Sequence, residues 1–134
     1  MMAMWTLGIR RGDEVITTPF TAIPTYSAIR HVGAVPVFVD IDPETYLMDL
    51  SKVSAAITKR TKLIVPVHLF GSVVDVPKLR TIVGSGIKIL EDCAQAHRRM
   101  VRRCEDAAPM AMAACSSPMT PNSRGSPNRT ACTG

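Results

Sequence analysis

Short apolar runs alternate with stretches of helical periodicity over the first 97 residues. The runs are rich in β-branched residues and predict strands at residues 14–18, 35–40, 63–68 and 87–91. The stretches between them predict helices at residues 21–31, 50–57 and 76–83. Strands that alternate with helices are typical of an α/β domain with a mostly parallel sheet.

Local signals support these elements. Thr21, Asp49 and Asp75 can each cap the amino end of a predicted helix. The strand interiors VPVFV and LIVPV are continuously apolar, which predicts helices on both faces of the sheet. Pro36 and Pro66 conflict with this pattern, because proline removes a hydrogen-bond donor from a ladder. Residues 2–9 read as the last turns of a helix, so we expect the chain to begin inside a domain.

The pattern stops after residue 97. Every Leu, Ile, Phe, Tyr, Trp and Lys lies before that point, and Val101 is the one branched aliphatic residue beyond it. A segment of this composition cannot bury enough apolar surface to offset its ordering entropy. The sequence therefore predicts a partial domain over residues 1–97 and a disordered tail over residues 98–134.

Charge and cysteine content exclude several classes of protein. The net charge of +5 comes mainly from tail arginines that have no aromatic residues among them, so nucleic acid is not an expected partner. No apolar run is long enough to span a bilayer and no secretory signal is present, so no membrane partner is expected. Four cysteines without C-x-x-C spacing favour reduced thiols in a cytoplasmic protein, and Cys93 with His97 is too small a set for a metal site.

Polar residues follow the predicted strands. Ligands of open α/β sheets bind outside the carboxyl ends of the strands, so these residues are candidates for a site. For Glu91 and His68, a solvent-facing or supporting role is an alternative to contact with a ligand. Asp92 differs, because a carboxylate that ends a strongly apolar strand should have a specific cationic partner.

Four segments resemble the DegT/DnrJ/StrS family of pyridoxal-phosphate sugar aminotransferases, which have aminotransferase fold type I. They are GDEVITTPFT (12–21), VGAVPVFVDID (32–42), PVHLFG (66–71) and EDCAQAH (91–97). The resemblance covers about residues 2–97 and implies part of the large, cofactor-binding domain. It further implies pyridoxal 5'-phosphate as cofactor, a nucleotide-linked keto sugar as substrate, glutamate as the usual amino donor, a role in amino-sugar biosynthesis, and a homodimer for the intact enzyme.

The resemblance also implies roles for individual residues. The aspartate matching Asp92 pairs with the protonated pyridine nitrogen of the cofactor, and the glutamine matching Gln95 lies by its phenolic oxygen. The loop that contains Phe20 and Ala22 packs against the cofactor ring, although many members have an aromatic residue where this chain has Ala22.

Two histidines, His68 and His97, would flank this site as substrate contacts or as supporting residues. The family has its Schiff-base lysine about 30 residues beyond the aspartate, but no lysine follows Lys88 in this chain. Members also carry a phosphate-binding turn just before the segment that matches the start of this chain. We therefore expect the chain as it stands to be an inactive fragment.

Two alternatives stay open at this point. One is a related dehydratase, which uses the same cofactor but has histidine in place of the lysine. The other is a remnant without a biochemical function. For the tail we hypothesise an out-of-frame translation, because a shifted reading permits a lysine codon across Pro121 and Asn122.

Overall fold

The computed structural model describes residues 2–95 and the backbone of residues 111–114. Its helices are Met2–Thr6 (α1), Ile23–His31 (α2), Leu50–Ala56 (α3) and Val76–Val83 (α4). Its strands are Glu14–Thr17 (β1), Val35–Phe38 (β2), Thr61–Ile64 (β3), Lys88–Asp92 (β4) and Ala111–Ala114 (β5). The strands form one sheet in the order β2-β1-β3-β4-β5, and every neighbouring pair is parallel. The predicted α/β class is confirmed. Each of the four predicted strands overlaps an observed strand, but β3 ends at Ile64 and not at residue 68.

Helices cover both faces of this sheet. Because side chains alternate along a strand, β1, β3 and β4 supply residues to two separate clusters. One cluster lies under α1 and α2 and contains Met4, Val15, Ile29, Leu63 and Leu90. The other lies under α3 and α4 and contains Ile16, Val53, Ile64, Leu79 and Ile89. Fully burying each of these larger aliphatic side chains is worth about 1.5–3 kcal/mol, so the two clusters stabilise the sheet from both faces.

The two prolines lie at different places in the ladder. β2 is an edge strand, and Val35 and Phe38 are 40% and 48% exposed, so the expectation of full coverage is wrong for this strand. Val35 and Val39 donate to carbonyls on the β1 side, which leaves Pro36 with its nitrogen toward the open edge. Pro66 lies beyond the end of β3, and its carbonyl accepts from the Asp92 amide at 3.0 Å.

Two of the three predicted helix caps are confirmed. Asp49 accepts from the Ser51 amide and Asp75 from the Lys78 amide. The cap at Thr21 is wrong, because α2 begins at Ile23 and has Ala22 at its N-cap without a side-chain bond. The helix offers no amide to a capping side chain there. The second helical residue is proline, and the amide of the third already donates to the Ala22 carbonyl.

One further strand lies in the predicted tail. β5 pairs with β4 in the register Ile89 with Ala111 through Asp92 with Ala114, and the sequence predicted no element there. Residues 96–110 and 115–134 lie outside the described residues, so the domain boundary at residue 97 and the disordered, out-of-frame tail stay predictions. Among the residues described, no helix has the length and apolar character needed to cross a membrane.

Candidate cofactor site at the carboxyl edge of the sheet

Asp92 is the last residue of β4 and lies at the carboxyl edge of the sheet. Its side chain turns toward α2, where its Oδ2 accepts from the Thr25 hydroxyl at 3.0 Å. Its Oδ1 accepts from the Ala94 amide at 3.2 Å. The residue is half-buried, whereas Thr25 is buried. The carboxylate is therefore held in one orientation while part of it stays open to a ligand.

The hydroxyl of Thr25 has one proton and can therefore donate only one hydrogen bond. This determines the direction of the hydrogen bonds that join Thr21, Thr25 and Asp92. An ionised carboxylate only accepts, so Thr25 must donate to Asp92. The Thr21 hydroxyl, 3.0 Å from that of Thr25, must then be the donor to Thr25. The two groups that donate to Asp92, the Thr25 hydroxyl and the Ala94 amide, are neutral. Asp92 forms no ion pair with any of residues 2–95. A carboxylate has about four lone-pair sites, of which two are used here. The cationic partner that the sequence predicts for Asp92 is thus not supplied by the described residues.

Backbone hydrogen bonds also hold Asp92. Its amide donates to the Pro66 carbonyl and its carbonyl accepts from the His68 amide, both at 3.0 Å. These bonds flank an isolated bridge between Val67 and Asp92. The segment after β3 therefore continues the ladder past the regular strand and fixes the position from which the Asp92 side chain extends.

A buried polar cluster lies beside Asp92, around His68. The His68 ring is fully buried, and its Nε2 lies 2.9 Å from Oε2 of Glu91, which is only 6% exposed. Its Nδ1 lies 3.1 Å from the Val74 amide. An amide only donates, so Nδ1 carries the lone pair and Nε2 carries the proton, which it donates to Glu91. Of the roles that the sequence left open, this burial argues against a solvent-facing Glu91 and favours a supporting His68.

The same cluster contains three groups that bind metals in other proteins. One ligand atom each from His68, Glu91 and Cys93 lie within 4.8 Å of one another. A metal on Nε2 would force the histidine proton onto Nδ1, where it would face the donating amide of Val74. The observed hydrogen bonds therefore favour a proton, and not a metal, between His68 and Glu91. The other pair that the sequence considered cannot be compared, because His97 lies outside the described residues.

Aromatic side chains lie on loops at this edge of the sheet. Phe20 follows β1 and is 42% exposed, and its ring centroid lies 5.9 Å from that of Tyr46 and 6.4 Å from that of Phe70. Tyr46 and Phe70 have φ of 58° and 52°, a conformation that bulky residues rarely adopt. Ala22 is exposed in the same loop as Phe20. The sequence named Phe20 and missed its two partners, although both lie in loops that follow predicted strands.

Gln95 is exposed, three residues after Asp92, and its role stays a prediction. Sequence reasoning missed Thr25, which is the only side chain among residues 2–95 that donates to Asp92. The signal available was a second threonine one helical turn after Thr21 at the start of α2.

A different carboxylate lies at the amino ends of the strands, which form the amino edge of the sheet. Glu14 begins β1, is 4% exposed, and accepts at Oε1 from Nε and Nη2 of Arg60 at 2.9 and 2.6 Å. Its Oε2 accepts from the Thr58 hydroxyl. The Thr58 hydroxyl and, after it, the Arg60 guanidinium hold the pKa of Glu14 below its ordinary value. A cavity of about 280 Å³ also lies at the amino edge, between the end of α1 and the starts of β3 and β4. Asp92 lies at the other end of β4.

Comparison with known proteins identifies the family of this chain. A model of the DegT/DnrJ/EryC1/StrS aminotransferase family matches residues 1–117. The chain belongs to this family. It is 54% identical over 97 residues to the dTDP-3-amino-3,4,6-trideoxy-alpha-D-glucose transaminase of Micromonospora megalomicea subsp. nigra, covering 72% of this chain and 26% of that protein. The chain thus spans about a quarter of the length of this relative.

Solved structures of the family have the same fold. The S. venezuelae DesV structure, a complex with a ketimine intermediate, superposes with a TM-score of 0.69 at 41% identity, covering 72% of this chain and 26% of that one. The PLP form of the putative sugar aminotransferase Spr1654 from Streptococcus pneumoniae gives 0.67 at 37% identity, covering 71% and 28%. Sugar dehydratases also match, at 33% and 32% identity, so the aminotransferases are the better supported relatives.

Proposed function

We propose that this chain is the cofactor-binding part of a pyridoxal-phosphate-dependent sugar aminotransferase. In this proposal Asp92 binds the protonated pyridine nitrogen of the cofactor. The observation that carries it is a half-buried carboxylate, fixed by Thr25 and Ala94, that has no cationic partner among the described residues. A pyridinium N–H is a planar cationic donor and fits the lone-pair sites that remain.

The cofactor, when bound, supplies an electron sink for the carbanion formed at the amino-bearing carbon. Asp92 keeps a proton on the pyridine nitrogen, because its negative charge favours the charged form of that nitrogen. Thr25 holds the carboxylate with a neutral donor, so it orients Asp92 without neutralising it. Phe20 and Ala22 lie in the loop that leads into α2, and we assign them to the ring face; we assign Gln95 to the phenolic oxygen.

The whole protein, on this proposal, transfers an amino group, with glutamate as donor, to a keto group of a nucleotide-linked sugar. The named relative, which acts in dTDP-amino-sugar chemistry, supports that substrate class. We extend the proposal to a homodimer in the cytoplasm. For the chain itself we expect non-covalent cofactor binding without turnover, because no lysine follows Lys88.

Binding of pyridoxamine 5'-phosphate tests this proposal. This form of the cofactor has no aldehyde, so it cannot react with surface lysines. We expect the full chain to bind it, as measured by fluorescence titration, and Asp92→Asn to weaken binding. Leu79→Ala, which removes a core side chain on the other face of the sheet, controls for general loss of structure. If the folded chain shows no binding, or Asp92→Asn binds as tightly as wild type, the proposal is wrong.

A further inference from the structure

We propose that His68 is a positioning residue that sets the direction of the Asp92 carboxylate from the opposite face of the sheet. The inference rests on the function proposed for Asp92. It concerns a side chain with no access to a ligand, because the His68 ring is fully buried and both of its nitrogens are engaged.

His68 joins three segments at the carboxyl edge. Its amide donates to the Asp92 carbonyl at 3.0 Å. Its Nε2 donates to the Glu91 carboxylate at 2.9 Å, and its Nδ1 accepts from the Val74 amide in the loop that leads to α4. One residue therefore binds the backbone of Asp92, the side chain of the residue before it, and a third segment that anchors both.

Because side chains alternate along β4, the contact between His68 and Glu91 also restricts the orientation of the Asp92 side chain. Glu91 and Asp92 are consecutive, so their side chains point to opposite faces of the sheet. Glu91 meets His68 on one face, and Asp92 meets Thr25 on the other. A rotation of the end of β4 that frees Glu91 from His68 would also turn Asp92 away from Thr25. Holding Glu91 therefore holds the aspartate.

On its β3 side, the end of β4 has few ladder pairs, whereas β5 pairs with β4 on the other side as far as Asp92. The regular pairing of β3 with β4 ends at Ile64 and Ile89, and only the bridge between Val67 and Asp92 lies beyond it. Pro66 falls between these points and has no N–H to donate. A buried polar contact whose members are all satisfied specifies one arrangement more strictly than apolar packing does. The His68–Glu91 bond thus adds a fixed contact on the side of β4 where Pro66 removes a ladder donor.

Two substitutions of His68 distinguish the hydrogen bond of Nε2 from that of Nδ1. His68→Gln places an amide N–H near the position of Nε2 and can still donate to Glu91. His68→Asn places an oxygen near Nδ1, can still accept from Val74, and loses the contact with Glu91. We expect His68→Asn to speed amide hydrogen exchange at Asp92 by about tenfold, the loss expected for a buried hydrogen bond, while His68→Gln stays within about twofold of wild type. Exchange at Val15 and Ile16 in β1 should not change in either variant.

Binding of pyridoxamine 5'-phosphate supplies the functional readout. We expect His68→Asn to weaken it by about five- to tenfold and His68→Gln to restore most of the affinity. The positioning role is wrong if exchange at Asp92 is unchanged in His68→Asn, if β1 amides are accelerated equally, or if affinity stays at the wild-type value while exchange at Asp92 rises.

The exchange measurement needs no cofactor, so the two proposals can fail separately. If wild type binds no pyridoxamine 5'-phosphate, the proposed function fails. Local acceleration at Asp92 that His68→Gln reverses would then still support the role of His68 in fixing Asp92, and its absence would overturn that role as well.

Discussion

The two edges of the sheet each hold a carboxylate, and the two groups differ in what completes them. Glu14, at the amino edge, meets the Arg60 guanidinium and the Thr58 hydroxyl, so its charge is balanced within the chain. Asp92, at the carboxyl edge, meets a hydroxyl and an amide, so its charge is oriented but not balanced among residues 2–95. A carboxylate with an arginine contributes to the fold, whereas one with neutral donors only is available to a cationic ligand.

The largest effect should come from exchanging one carboxylate for an amide at each edge. We expect Asp92→Asn to weaken binding of pyridoxamine 5'-phosphate by about 10- to 150-fold, because a hydrogen bond to a charged group is worth about 1.5–3 kcal/mol. Glu14→Gln should leave that affinity unchanged and lower the urea midpoint of unfolding. If both variants lose affinity equally, the contrast between the edges is wrong.

The contribution of Glu14 to the free energy of unfolding should be measurable at acid pH without any ligand. The pKa of Glu14 is lowered by the Thr58 hydroxyl and Arg60, and the pKa of Asp49 by the Ser51 hydroxyl. A carboxyl group whose pKa is lower in the folded state stabilises the fold above its unfolded pKa and loses this effect as pH falls through the folded value. The free energy of unfolding should therefore decline as pH falls below the ordinary value of 4.5 for Glu14.

Glu14→Gln is the control for this decline. Urea titrations across the acid range should show a shallower fall in the variant. It has lost Glu14, a described carboxyl group that takes up a proton on unfolding because its pKa is lower in the folded state. An equal slope in the two proteins would show that Glu14 does not contribute.

A smaller effect is expected from the hydroxyl that orients Asp92. Thr25→Val removes the donor and keeps the shape. Binding of pyridoxamine 5'-phosphate should weaken about 2- to 13-fold, corresponding to about 0.5–1.5 kcal/mol, because the hydroxyl acts on the cofactor only by orienting Asp92. Thr25→Ser keeps the hydroxyl and should restore most of the affinity. Equal losses in both variants would indicate that packing of the methyl group, and not the hydrogen bond, is what matters.

The smallest effect should be a gain. Ala22 is exposed in the loop that we assign to the face of the cofactor ring. Ala22→Phe should strengthen binding of pyridoxamine 5'-phosphate by about 2- to 10-fold, through ring stacking. Ala22→Leu adds bulk without an aromatic ring and is the matched control. A leucine variant that gains as much affinity as the phenylalanine variant would contradict stacking.

The elements that the sequence predicted correctly are those with local signals. The β-branched runs specified four strands, and Asp49 and Asp75 specified two helix starts, because a cap needs only residues close by in the chain. Asp92 could be singled out because an acid at the end of an apolar strand is locally unusual.

What the sequence could not supply depends on which elements become neighbours. The contact between Thr25 and Asp92 joins residues 67 positions apart. The exposure of Val35 follows from the place of β2 at the sheet edge, which no local pattern encodes. The buried Glu91 has its partner His68 in the segment after β3, 23 positions earlier in the chain. In each case the decisive partner is distant in the chain, so the role of the residue depends on strand order.

The protonation state of the bound pyridine nitrogen tests the central claim most directly. Pyridoxamine 5'-phosphate labelled with ¹⁵N in the ring can be titrated with base by NMR, free and bound to wild type and to Asp92→Asn. The carboxylate of Asp92 should keep the bound nitrogen protonated to a higher pH than the free nitrogen, and the shift should be lost in Asp92→Asn. A bound nitrogen that titrates like the free one, or a shift that survives in Asp92→Asn, would contradict the account.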